Sequence, residues 1–93
     1  MALYMVRVEL FNASGEDYNE VHEKLAGLGL KKTVEGEDGT YNMPTGTYFG
    51  ESSLSITQLR ERASQIADQH SRPRAAAVFV SQVVEWQSWL FKD

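Results

Sequence analysis

The segment that most constrains this chain is Ala2 to Phe11, an alternating run with a charged pair inside it. Read as the central strand of a sheet, it puts Tyr4, Val6, Val8 and Leu10 on one face and Met5, Arg7, Glu9 and Phe11 on the other. The first face needs helices over it. The second is amphipathic, and suits a sheet surface open to water, to a partner subunit or to a ligand. Because Arg7 and Glu9 interrupt the apolar run, it is neither a signal-peptide core nor a membrane span, and a cytoplasmic protein with no membrane association is expected.

The helices that such a strand requires are legible downstream. Tyr18, Val21, Leu25 and Leu28 recur at helical spacing, Ser14 or Asp17 can accept the free N–H groups that open a helix, and Gly27 and Gly29 can end it. This predicts a first helix from about Glu16 to Gly27. A second begins behind Ser55, which with Gln58 forms a capping-box pattern, and carries Ile56, Leu59, Ala63, Ile66 and Ala67 as its apolar stripe. It is expected to stop near His70, because Pro73 disfavours helical backbone at Arg72.

Three further strands are expected. Leu30 to Glu35 alternates, Gly46 to Ser52 places Tyr48 on one face with Thr47 and Phe49 on the other, and Ala75 to Val83 is apolar enough to be covered on both faces. Thr40 to Thr45 contains Pro44, which cannot donate to a ladder, so it reads as a loop or a distorted edge. The tail from Val84 to Asp93 holds both tryptophans, and its pattern fits helix and strand equally. Aromatic surface of that extent is expected either to cover the open sheet face or to meet a second subunit.

At 93 residues the chain has room for one domain, residues 1–93, with one core. The order strand, helix, strand, strand, helix, strand predicts an α+β split βαβ (βαββαβ) arrangement: one four-stranded antiparallel sheet, two helices on one face, and an aromatic C-terminal tail. Such a fold by itself does not define an activity.

Composition removes several chemistries. With no cysteine there is no disulfide framework, thiolate zinc site or cysteine nucleophile. No glycine cluster follows a strand and opens a helix at phosphate-loop spacing. A net charge of −4 excludes a broad basic surface that holds nucleic acid by phosphate neutralisation alone, and nothing signals DNA binding. Any RNA contact has to be local, through pairs such as Lys31 with Lys32. His22 lies off the apolar stripe of the first helix without a second histidine at ligand spacing, so no metal site is read there.

Several stretches nevertheless resemble one known family. Tyr4-Met5-Val6-Arg7-Val8-Glu9 followed by Asn12-Ala13-Ser14, Thr33-Val34-Glu35-Gly36-Glu37-Asp38-Gly39, the segment Met43 to Ser55 and the aromatic end Trp86 to Phe91 are similar, in order, to the GhoS-type endoribonuclease antitoxins of type V toxin–antitoxin systems. The resemblance implies the ferredoxin-like fold shared with small CRISPR-associated nucleases and cleavage of single-stranded messenger RNA. This chain has Glu9 where the family has aspartate, and the family's helical arginine corresponds only loosely to His22 or Lys24.

RNA cleavage needs a group to activate the attacking oxygen, a group to stabilise charge on the phosphorane, and a means of holding a single strand. On the implied activity, Glu9 serves as base or as a ligand for magnesium, the one candidate cofactor, and Arg7, His22 or Lys24 takes the acid or electrostatic role. Tyr4, Tyr48 and Phe49 are placed to stack unpaired bases, and Lys31 and Lys32 to guide phosphates. The competing expectation is a non-catalytic ferredoxin-like module that dimerises through its sheet face and aromatic tail and binds a partner protein or a small ligand. On that view Arg7 and Glu9 are a solvated charge pair and the tyrosines are core or interface residues.

Overall fold

A computed structural model describes all 93 residues. The elements in chain order are β1 (Ala2–Glu9), α1 (Gly15–Ala26), β2 (Thr33–Gly36), β3 (Gly39–Asn42), β4 (Thr47–Ser52), α2 (Ile56–Asp68) and β5 (Ala77–Gln82). β1 is the central strand of a three-stranded antiparallel sheet in the order β4-β1-β5, and β2 and β3 form a separate two-stranded hairpin.

The expected single four-stranded ferredoxin-like sheet is therefore corrected to a 3+2 arrangement. The physical reason is register. Lys31 and Phe49 exchange both backbone hydrogen bonds, at 3.0 and 2.8 Å, so the chain does touch the outer edge of β4. Continuing that antiparallel register sets Thr33 against Thr47, where β4 begins, and leaves Val34 and its successors without a partner on the sheet. They pair instead with β3, Thr33 opposite Asn42 and Gly36 opposite Gly39 around a two-residue turn. The segment expected as a loop because of Pro44 supplies this strand, which ends at Asn42, two residues before the proline.

Both helices start where their capping residues stand. Ser14 caps α1 and Asp17 returns the capping box, while Ser55 and Gln58 do the same for α2. At the end of α1 the Leu30 N–H donates to the Leu25 carbonyl and the Gly29 N–H to the Ala26 carbonyl, both at 3.0 Å. This is the paired-bond helix stop that needs a left-handed residue, and Gly29 supplies it with φ of +90°. The same glycine lies against β4, where a Cβ on Gly50 would run into its carbonyl oxygen.

The core lies on one side of the sheet. Tyr4, Val6, Val8 and Leu10 are buried there with Tyr48 of β4, Val21 and Leu25 of α1, and Leu59, Ala63 and Ala67 of α2. Ile56, the first residue of the α2 stripe, stays exposed. β5 is not covered on both faces as expected: Phe79 is 64% exposed. No helix is long and apolar enough to cross a membrane.

Candidate functional site

The register of the sheet determines what its open face presents. Arg7 stands between Thr47 on β4 and Phe79 on β5, and Met5 between Phe49 and Ser81. The Val8 N–H donates to the Gly46 carbonyl at 2.7 Å, which makes the adjacent Arg7–Thr47 pair the narrow, non-hydrogen-bonded kind, with side chains close together. Glu9 follows at the sheet end opposite Ala77.

The tail crosses this face. Its pattern fitted helix and strand equally, and it is neither: an extended coil held by main-chain bonds. Val83 N–H donates to Leu3 O at 2.8 Å, then Asn42 N–H to Phe91 O and Asp93 N–H to Thr40 O, both at 2.9 Å, so the coil leaves the sheet and runs onto the hairpin. Between these anchors the Trp86 ring meets Phe49 edge-on at 5.3 Å between centroids.

The tail does not close the face completely. Beneath it is a cleft of about 530 Å³, within the roughly 300–1,000 Å³ of small-molecule sites. Met5, Arg7, Thr47, Phe49 and Phe79 form its floor. Val34, Met43 and Pro44 wall it on the hairpin side, and Glu85, Trp86 and Leu90 of the tail close it from above. Its polar groups are few. Arg7 makes no ion pair and no hydrogen bond in the protein, although Glu9 and Glu85 stand near. Thr47 is 3% exposed, and its buried hydroxyl has no partner.

The residues expected to cleave RNA are not brought together. Arg7 and Glu9 share a shallow depression on the open face with Ala77 and Phe79. His22 is on the opposite, helical side of the sheet, its ring 5.5 Å from that of Tyr48. Burial, helped by the Lys32 charge, pushes the His22 pKa below its ordinary 6.5 and so disfavours the imidazolium form. Lys24 is exposed in the last turn of α1. No three His, Asp or Glu side chains converge at ligand spacing.

The stacking candidates divide in the same way. Tyr4 is buried with its hydroxyl donating to Leu54 O at 3.0 Å, and Tyr48 is wholly buried, its pKa pushed up to about 12 mainly by desolvation. Neither ring can offer a face to a base, because both lie on the core side of their strands. Phe49 is on the open face, and Lys31 joins it from the edge as its cross-strand partner. Lys32 lines a separate polar depression with His22 and Asp93.

Sequence reasoning overlooked Thr47 and Phe79 as parts of a site. Period two placed Thr47 beside Phe49, and the same rule applied to β5 would have placed Phe79 beside Arg7 once the register was known. Comparison with family models, with curated proteins and with solved structures returns no match.

Proposed function

We propose that this domain is a non-catalytic binding module whose recognition element is the cleft between the open sheet face and the C-terminal tail, and that its ligand is a small molecule. The observation that carries this reading is the pairing of a mainly apolar cavity with one buried hydroxyl that has no partner, that of Thr47, beside the exposed and unpaired guanidinium of Arg7. Few, fixed polar groups in an apolar concavity are what orient a small ligand. The domain is proposed to act in the cytoplasm, where packing alone, without disulfides, has to hold it together.

The reading is tested with naphthalene-1-acetamide, a neutral flat probe, followed by amide chemical shifts. Perturbations confined to Met5, Thr47, Phe49, Trp86 and Leu90, and lost in Trp86→Ala, are expected. Shifts that cluster on the helices instead, or no binding, would remove it.

A second reading keeps the antitoxin-like endoribonuclease, because Phe49 and Phe79 offer flat apolar surface beside Arg7 on an open sheet, the arrangement on which unpaired bases stack. In it Glu9 is the base and Arg7 the electrostatic partner, without His22 or Lys24. Incubation of single-stranded RNA with the protein, with and without magnesium, then gives cleavage that Glu9→Gln abolishes; an equally active Glu9→Gln eliminates that mechanism. In both readings a homodimer is proposed through the outer side of the tail, where Trp89 and Phe91 pack edge-on at 5.0 Å yet Trp89 stays 80% exposed. Sedimentation that remains monomeric at high concentration would exclude it.

A further inference from the structure

Resting on the small-molecule reading of the cleft, we propose that it selects monocarboxylates with a flat apolar body, the carboxylate lying between the Arg7 guanidinium and the Thr47 hydroxyl. Three features of the site converge on this ligand. The first is the unpartnered buried Thr47 Oγ1: a buried hydroxyl without a hydrogen bond is costly unless something in the cleft satisfies it. The second is its neighbour. Arg7 is the direct cross-strand partner of Thr47 in a narrow pair, so one acceptor group can reach both side chains, and Arg7 has no acid of its own to release.

The third feature is the charge around them. A guanidinium matches the planar carboxylate with two parallel hydrogen bonds, and the hydroxyl adds one more donor. That set neutralises a single negative charge. A phosphate, carrying nearly two, would face Glu85 on the roof and Glu9 beside Arg7 with only one cation in the cleft to offset it. The body of the ligand is specified by the walls: a flat sheet floor with Phe49 and Phe79, and Trp86 standing edge-on to Phe49 across the opening. A slot of that shape accepts a fused ring or another thin apolar group lying along the strands.

The experiment compares naphthalene-1-acetate with its neutral isostere naphthalene-1-acetamide by titration calorimetry on the full chain. The acetate is expected to bind about tenfold more tightly, as for one charge-assisted hydrogen bond, and Arg7→Met is expected to bring the two affinities together. Thr47→Val, which preserves shape, should narrow the same gap. Trp86→Ala should weaken both probes equally. Equal affinity of the two probes for the unaltered protein would overturn the carboxylate preference and leave the cleft reading standing. Failure of both to bind, with the fold verified by chemical-shift dispersion, would overturn both. Tighter binding of naphthyl phosphate than of the acetate would also overturn the proposal, because it would show that the site takes a dianion.

Discussion

The two faces of β1 are closed by different means, and the difference separates stability from recognition. On one face, Tyr4, Val6, Val8 and Leu10 interdigitate with side chains from two capped helices and lose essentially all contact with water. On the other, Met5, Arg7 and Glu9 lie under or beside a coil that is anchored by its own main chain and brings one principal side chain, Trp86, down onto the sheet. A helix covers a sheet with a continuous stripe of apolar groups, whereas a coil fixed at its ends leaves gaps between its contacts. The first face is a core. The second is a cleft.

The comparison breaks most visibly at its deepest contact. Leu25→Ala, at a fully buried position of α1, is expected to cost about 2–5 kcal/mol in urea unfolding, while Phe79→Ala on the open face stays within about 0.5 kcal/mol. Equal costs would mean that the two faces are packed alike. Gly50→Ala comes next, at about 1–3 kcal/mol, since the new methyl runs into the Gly29 carbonyl and neither is a side chain that can swing away. Its amide exchange should accelerate first around Leu30 and Lys31, where the hairpin segment touches the sheet.

Trp86→Ala sharpens the contrast from the other side. With the ring 49% exposed and one edge-on aromatic contact, about 1 kcal/mol of stability is expected to be lost, with faster amide exchange at Asn42 and Asp93, where the tail is tied to the hairpin. Core amides of β1 should not follow. The smallest effect concerns the helix layer. The Asp17 carboxylate accepts from the Ser14 N–H and lies 2.9 Å from His70 Nδ1. First the Ser14 backbone bond and then His70 hold its pKa at about 2 instead of 3.8. A lowered acid pKa means that the unfolded chain binds the proton more readily, so this contribution is complete above pH 3.8 and disappears as pH falls through about 2. Asp17→Asn should flatten that part of the acid unfolding curve, and an unchanged curve would show that the two helix ends are not coupled through this contact.

Much of this architecture was readable because it is local. Ser14, Ser55 and Gln58 announce their helices within one turn of chain, since a cap satisfies N–H groups three residues away. Alternation in β1 separated Val6 and Val8 from Arg7 and Glu9 for the same reason: the period of a strand is carried by its own backbone. The tail was not readable. Trp86, Trp89 and Leu90 suit a helix as well as Trp86, Ser88 and Leu90 suit a strand face, and the bonds that decide between them and a coil come from Leu3, Thr40 and Asn42, far away in sequence.

The candidate site divides along the same line. Phe49 and Arg7 are identifiable from their own strands, but a base-stacking role for Tyr4 and Tyr48 meets strand faces that point to the core, and a shared role for His22 and Glu9 meets the sheet that separates them. By itself the sequence determined the two caps, the core face of β1 and the charged pair opposite it, because each depends on contacts within a few residues. Only the tertiary structure decided that β2 would leave the sheet, that the coil would roof it, and that Thr47 and Arg7 would be neighbours in a cleft. Those outcomes depend on inter-strand register, and register is determined by which segments run out of partners, a property of the whole chain.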